Sequence, residues 1–167
     1  MSDLFHPDVP DGFIAQVFSV MHQTPWHTYQ GLTKRPERMV SMSKQLWFTS
    51  NIWVGTSVES PAVLERIHWL QNTPVEVRLL LCEPLLIAIP RLPLDGIHWV
   101  IVGGESGPKA RPVEADLVRE IRDPCIAQGV PFFFKQWGAF NEHMPVGPYM
   151  GMCGMNFLEA VLWTRWT

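Results

Sequence analysis

The chain of 167 residues is 47% hydrophobic, carries a net charge of −3 and has a pI near 6.0. This composition suits one globular domain with a substantial core, and the acidic balance does not indicate a nucleic-acid binder, which is usually basic. No apolar run approaches the roughly 18 residues of a membrane-spanning helix, so no membrane partner is expected.

Hydrophobic periodicity predicts helices and strands that alternate along the chain. The first helix is indicated by Ile14, Val17, Phe18 and Met21, which repeat at helical spacing. Five predicted strands follow it, at residues 27–33, 52–57, 77–82, 97–102 and 130–134.

Three further helices are predicted between these strands. The helix at residues 36–46 opens with a proline, which suits the first helical turn. The next helix begins at Ser60 and Pro61, with the serine as its N-cap. The last, at residues 114–128, contains Pro124, which is expected to kink this helix or to end it early.

Apolar strands separated by helices indicate a parallel sheet that is covered on both faces or closed into a barrel. The predicted fold class is therefore α/β, an incomplete β/α barrel of about five parallel strands alternating with helices. Residues 1–137 are predicted to form this single domain.

The remaining residues, 138–167, differ in composition from the domain. Their charged residues are Glu142, Glu159 and Arg165, and they hold four of the chain's eight methionines. One interpretation is a short terminal helix around residues 158–163 that packs on the domain. The other is a divergent tail produced by a shifted reading frame.

Polar residues follow every predicted strand. In parallel α/β folds, the functional groups lie at the carboxyl ends of the strands. We therefore expect these side chains to converge on one edge of the sheet and to bind a small anionic or zwitterionic ligand. The candidate ligand-binding residues are Lys34, Arg35, Glu59, Glu83, Gly103, Gly104, Glu105, Ser106, Lys135 and Gln136.

Gly103 and Gly104 end the fourth predicted strand just before Glu105. Glycines let the chain turn sharply and let a ligand approach the backbone. Exposed amides would then meet a carboxylate or phosphate, and Glu105 would hold an ammonium group or a hydroxyl. A tight turn without any ligand is the alternative. The stretch is neither a dinucleotide-binding fingerprint nor a P-loop.

Acid–base chemistry without a cofactor is a further hypothesis for the same edge. Glu59, Glu83 and Glu105 would serve as acid and base, while Lys34 and Lys135 would stabilise charge. The sequence does not specify which bond would be broken.

The cysteines and histidines do not indicate a metal site. Cys82, Cys125 and Cys153 lie far apart and show neither C-x-x-C spacing nor a disulfide framework. The six histidines form no H-E-x-x-H motif and no close pair. Because the cysteines show no disulfide framework, a reducing cytoplasm is the expected location.

Six stretches carry a resemblance to a known family: SDLFHPDVPDGFI, LTKRPERM, GTSVES, LLLCEPLL, WVIVGGESGPKARPV and GVPFFFKQWG. In this order they are similar to phage-borne proteins that also occur as prophage genes in bacterial genomes. The resemblance covers about residues 1–138. It implies a protein of unknown function whose fold is radical-SAM-like, a partial or complete β/α barrel.

The resemblance also implies a cofactor for intact relatives. Before the region that matches this chain, they carry three closely spaced cysteines, which in radical-SAM enzymes ligate an iron–sulfur cluster that binds S-adenosylmethionine. A Gly-Gly-Glu stretch contacts the methionine amino group in that superfamily, and Gly103, Gly104 and Glu105 have the same letters. The superfamily's stretch follows an early strand and this one a late strand, so a shared and an unrelated role both stay open.

Relative to that family, the chain is expected to be a truncated member. It lacks the three-cysteine segment and the first barrel strand, and it departs from the family pattern after Trp137. Its own cysteines are too dispersed to replace the missing ones, so no cofactor is expected in this chain. A missing strand exposes the edge of its neighbour, which favours self-association or a separate chain that supplies the strand.

Two hypotheses about function follow. The first is a barrel that binds a small ligand without running radical chemistry. The second is an interaction module of phage biology, or one half of a split enzyme completed by another chain. Whether the chain is an enzyme stays open, and inactivity of the isolated chain is expected.

Overall fold

A computed structural model describes residues 3–138 of the chain as one parallel sheet with helices. The predicted terminal helix near residues 158–163 and Cys153 lie outside the described residues. The strands are β1 (Tyr29–Thr33), β2 (Ile52–Ser57), β3 (Arg78–Cys82), β4 (Trp99–Val102) and β5 (Phe132–Phe134). The α-helices are α1 (Asp11–Gln23), α2 (Pro36–Met42), α3 (Glu65–Gln71) and α4 (Ala115–Ala127).

The five strands lie in the sheet in the order in which they occur in the chain, β1-β2-β3-β4-β5, and every neighbouring pair is parallel. The predicted parallel α/β fold is therefore confirmed. Within residues 3–138 the sheet is open and does not close into a barrel. Since crossovers between parallel strands are right-handed, successive steps in one direction put their helices on the same face of the sheet.

That face, the helix face, carries the main core. The side chains of Val54, Leu80 and Val100 point to it from neighbouring strands, and the buried Ile14 of α1 and Ile121 of α4 belong to the same cluster. Continuous apolar burial between a parallel sheet and its helices supplies the dominant favourable term in folding.

The opposite side, the strand face, holds a smaller apolar cluster. Its buried members are Leu79, Trp99 and Ile101, and Trp53 and Phe133 pack against them. Every described member of this cluster lies on a strand or directly before one. Successive side chains of a strand alternate between the two faces, so one sheet serves both clusters.

Several elements differ from their predicted bounds. Strands β1, β3 and β4 begin at Tyr29, Arg78 and Trp99, later than predicted. Strand β5 begins at Phe132 because Pro131 has no N–H to donate to the ladder. Helix α2 ends at Met42 and is followed by a 3₁₀ turn, Ser43–Gln45. Helix α4 runs through Pro124 to Ala127, so the expected early end is wrong.

Ser60, which is predicted as the N-cap of a helix, makes no capping hydrogen bond with its side chain. A 3₁₀ turn, Pro61–Val63, follows it, and helix α3 begins only at Glu65.

The connection between β3 and β4 contains no helix, which interrupts the predicted alternation. Leu85, Ile89, Leu92 and Leu94 from this connection are buried in the main core instead. The Leu85 N–H donates to the carbonyl of Gly103 at 2.9 Å, which extends the pairing beyond the end of the two strands. Apolar side chains of an irregular segment thus take the place of a crossover helix.

Asp3 anchors the N-terminal segment to the carboxyl end of β1. Its carboxylate accepts hydrogen bonds from the Thr33 hydroxyl at 2.7 Å, the Lys34 amide at 3.0 Å and the Arg35 guanidinium at 2.8 Å. Partial burial acts to raise the pKa of this carboxyl, but the hydrogen bonds outweigh it and hold the pKa below its ordinary value of 3.8. The segment also carries Phe5, which is buried in the main core.

No helix within residues 3–138 combines the length and the apolar character that crossing a bilayer requires.

We predict that Asp3→Asn lowers the free energy of unfolding by about 2 kcal/mol at pH 7, because four donors, including the Phe5 amide at 3.0 Å, lose a charged acceptor. Since the folded-state pKa lies below the ordinary value, the carboxylate stabilises the fold at neutral pH. This contribution is lost as the pH falls through the folded-state pKa. The difference in unfolding free energy between Asp3→Asn and the wild type should therefore become smaller below about pH 4.

Urea unfolding between pH 7 and pH 3 measures both effects. Asp8→Asn is the matched control, since the Asp8 side chain is 89% exposed and pairs with the His6 side chain at the surface. An equal loss of stability in both variants would contradict the anchoring role of Asp3.

Candidate functional site

The carboxyl edge of the sheet carries a row of charged side chains on the strand face. Ser57, Leu81, Ile101 and Phe133 are register partners across β2 to β5. Two residues further along β3, β4 and β5, the same side is occupied by Glu83, Gly103 and Lys135, whereas Glu59 lies beyond β2 beside Arg66 of α3. The charged residues of this row therefore stand directly above an apolar layer.

Glu83 and Lys135 form an ion pair across Gly103. The Lys135 ammonium lies 3.0 Å from one carboxylate oxygen of Glu83 and 3.3 Å from the other. A Cβ atom at Gly103 would lie 3.4 Å from both the Glu83 carboxyl carbon and the Lys135 Cβ. Because β3 and β5 flank β4, the pair spans about 10 Å between backbones, and the glycine keeps its path clear.

Glu59 lies between two cations. Its carboxylate accepts from the Lys34 ammonium at 2.9 Å and from the Arg66 guanidinium at 3.1 Å. Burial acts to raise the pKa of this carboxyl, but the hydrogen bond from Lys34 and the charges of both cations outweigh it, and the pKa lies below its ordinary value of 4.5. Arg66 also donates to the Ser57 carbonyl at 2.9 Å, which fixes the guanidinium beside β2.

Arg35 occupies a different position from its neighbour Lys34. Its guanidinium pairs with Asp3, and its amide donates to the Thr33 hydroxyl at 2.9 Å. Of the two adjacent cations that the sequence offered, the geometry brings Lys34 to Glu59 and commits Arg35 to the N-terminal anchor.

Gly104 permits a close crossing of two backbone segments. A Cβ atom there would lie 2.5 Å from the Trp137 carbonyl oxygen and 2.6 Å from the Gly138 nitrogen. The Gly104 N–H donates to the Gln136 carbonyl at 2.8 Å, and the Gly103 N–H donates to the Cys82 carbonyl at 3.3 Å. Both amides are therefore used within the fold, and the expectation that they are exposed to a ligand is wrong.

Ser106 and Gln136 support this crossing. The Gln136 amide group donates to the Gly104 carbonyl at 3.0 Å and to the Ser106 hydroxyl at 2.8 Å. These two predicted site residues thus hold the loop after β4 against the chain after β5.

Glu105 pairs with Arg111 in its own loop. The carboxylate accepts from the Arg111 amide at 2.9 Å and from its Nε at 3.0 Å, and a second guanidinium nitrogen contacts the other oxygen. The hydrogen bonds from the Arg111 side chain and amide lower the pKa of Glu105 to about 2. Glu105 is therefore ionised at neutral pH, and its hydrogen bonds to Arg111 hold the loop after β4 in place.

Arg66, Arg111 and Asp3 are the partners that sequence reasoning missed. Each comes from a segment outside the strand ends: helix α3, the loop before α4 and the N-terminal segment. The sequence does not indicate which strand-end acid or base a charged residue of a helix or loop will contact.

The cysteines of residues 3–138 lie in the core. Cys82 at the end of β3 and Cys125 in α4 are both free and buried there. Burial raises the pKa of each thiol to about 12. Within residues 3–138, no group of three or more His, Cys, Asp or Glu side chains is arranged to hold a metal ion.

We predict that Gly104→Ala lowers the free energy of unfolding by about 3 kcal/mol, because the added methyl group meets backbone atoms that cannot rotate away. Gly12→Ala in α1 is the control: its Cβ meets nothing within 4 Å, and alanine favours the helix. Thermal and urea unfolding compare the two. Equal stability of Gly104→Ala and the wild type would contradict the close crossing.

Comparison with known proteins gives a family match. A family described as "Protein of unknown function (DUF5131)" matches residues 1–161. No curated protein and no solved structure matches the chain. Because the match covers nearly the whole sequence and includes both the sheet and its charged edge, the chain belongs to the DUF5131 family of proteins of unknown function.

Proposed function

We propose that this protein binds a small zwitterionic or anionic ligand at the carboxyl edge of its sheet, on the strand face. The observation that carries the proposal is the Glu83–Lys135 pair, which stands above an apolar layer with its cation half in solvent. The Lys34–Glu59–Arg66 cluster is formed by residues after β1 and β2 and by Arg66 of α3.

Both lysines of the site are easily displaced from their partners. The side chains of Lys34 and Lys135 are 52% and 47% exposed, whereas those of Glu59 and Glu83 are 27% and 18% exposed. Ion pairs with an exposed member contribute only about 0.2–1 kcal/mol, so opening one costs little. A ligand ammonium group can therefore replace a lysine on its carboxylate, while the freed lysine binds the ligand's carboxylate.

The charge balance favours a ligand with at least one anionic group. Three cations, Lys34, Arg66 and Lys135, face two carboxylates, Glu59 and Glu83. A zwitterion can satisfy both signs, and a monoanion can neutralise the excess cation. A cationic ligand without an anionic group would add to the excess.

We further propose that the protein derives from a phage-borne, radical-SAM-like barrel, and that the site retains the binding of an adenosylated amino acid. The sequential order of the parallel strands, which is the order in β/α barrels, supports this. Cys82 and Cys125 are buried in the main core, which supports ligand binding without radical chemistry by this chain alone.

S-adenosylhomocysteine is the probe, because it carries a zwitterionic amino acid and is chemically stable, and adenosine is its neutral counterpart. We expect binding of the first and none of the second in isothermal titration calorimetry. Glu83→Gln and Lys135→Met should each weaken binding about tenfold or more, since each removes a charge-assisted hydrogen bond of about 1.5–3 kcal/mol.

Glu120→Gln, on the exposed surface of α4, is the matched control and should bind as the wild type does. Absence of any heat of binding, or equal affinities in Glu83→Gln and Glu120→Gln, would reject the site.

A second candidate function is assembly with another chain through the edge of β1. Among the described residues, β1 pairs only with β2. The Tyr29 N–H donates to the Asn51 carbonyl at 2.8 Å. Because successive N–H groups of a strand point to opposite sides, the N–H groups of Gln30 and Leu32 point away from β2. An unpaired edge of this kind is a template for a further strand, supplied by a second copy or by a separate protein.

Size-exclusion chromatography with light scattering tests self-association. We expect the wild type to form dimers as concentration rises. Gln30→Pro should remain monomeric, because proline blocks the free edge without removing a hydrogen bond to β2. Circular dichroism confirms that the variant is folded. A monomeric wild type at every concentration would contradict self-association.

A further inference from the structure

The two cations that contact Glu59 differ in how firmly they are held. The Lys34 ammonium lies 2.9 Å from Oε1 of Glu59, and the Arg66 guanidinium lies 3.1 Å from Oε2. The Lys34 side chain is 52% exposed, whereas that of Arg66 is 19% exposed. Because the two cations contact different oxygens, Lys34 can leave Glu59 while the hydrogen bond from Arg66 stays intact.

Arg66 is fixed by both its side chain and its backbone. The guanidinium nitrogen that contacts Glu59 also donates to the carbonyl of Ser57, the last residue of β2, at 2.9 Å. Its backbone belongs to α3, where the next residue, Ile67, is fully buried in the main core. The fold therefore determines the position of this cation beside β2, independently of Glu59.

Lys34 combines a fixed backbone with a free side-chain end. Its amide donates to the Asp3 carboxylate at 3.0 Å, which holds the residue at the end of β1. Its ammonium group is carried on a flexible four-carbon chain, unlike the planar guanidinium of an arginine. The ammonium group can therefore move from Glu59 to the anionic group of a ligand while the backbone of Lys34 stays in place.

We propose that Arg66 is the positioning residue of the binding site, because it keeps the Glu59 carboxylate charged and in place after Lys34 has moved to the ligand. This inference rests on the proposed binding function. An ammonium group of the ligand then meets a carboxylate whose Oε1 is vacant and whose Oε2 retains its donor. Arg66 acts through Glu59 and does not itself contact the ligand.

A carbon-detected NMR titration of the Glu59 carboxyl group tests this role without a ligand. The groups that face it are Lys34 after β1, Arg66 of α3 and the Cys82 thiol of β3, which burial keeps neutral with a pKa of about 12. Burial acts to raise the pKa of Glu59, while Lys34 and Arg66 lower it. Arg66→Met should therefore raise this pKa, and Arg66→Lys, which keeps the charge, should restore most of the shift. Lys44→Met, on an exposed 3₁₀ turn, is the control and should leave the Glu59 pKa unchanged.

Isothermal titration calorimetry with S-adenosylhomocysteine connects this role to binding. We expect Arg66→Met to weaken binding about tenfold at pH 7 and Arg66→Lys to recover most of the affinity. Since the Glu59 pKa is higher in Arg66→Met, the affinity of this variant should begin to fall at a higher pH than that of the wild type as the solution is acidified. A role confined to stabilising the fold would leave this pH profile unchanged.

An unchanged Glu59 pKa in Arg66→Met would overturn the inference. Binding that is weakened by Glu83→Gln but unaffected by Arg66→Met at every pH would reject the role of Arg66 and keep the proposed function. Absence of binding by the wild type would reject both. If circular dichroism shows that Arg66→Met is unfolded, Arg66→Gln, whose amide group can still donate to the Ser57 carbonyl, provides the same measurements.

Discussion

The parallel ladder between consecutive strands determines where every charged group of this protein lies. Because each strand pairs with the next one in the chain, all carboxyl ends reach the same edge, and the register aligns Ser57, Leu81, Ile101 and Phe133 in one row. The residues two positions further on then share a face and an edge. The same order puts the crossover helices on one side and leaves the other side to strand residues.

The acidic residues near this edge fall into two groups, according to the partners of their carboxylates. Glu105 is held by its own loop partner Arg111, and Asp3 is held by Thr33, Lys34 and Arg35. Both carboxylates brace the fold, and their lowered pKa values reflect those fixed donors. Glu59 and Glu83 pair with lysines that remain half in solvent, and Glu59 pairs with Arg66 as well, so both carboxylates can exchange their lysine at small cost. The proposed binding site therefore includes Glu59 and Glu83 and not Glu105.

Gly103 and Gly104, which follow β4, have different structural roles at the carboxyl edge of the sheet. Gly103 leaves room for the Glu83–Lys135 pair, and Gly104 lets the chain after β5 cross in van der Waals contact. The first glycine serves the charged row and the second serves packing. Their amides complete the backbone pairing, so side chains supply the groups that a ligand would meet.

The fold class, the number of strands and the edge at which polar groups collect could be derived from sequence, because apolar runs and strand polarity are local properties. Strand β2 matches its predicted bounds, and β5 starts later only because Pro131 cannot donate a hydrogen bond. The partners of the polar groups could not be derived, since Arg66, Arg111 and Asp3 approach from distant or irregular segments. Sequence therefore determined which residues reach the edge, and only the tertiary structure decided which charges are bound internally, because ion pairing depends on distances through space.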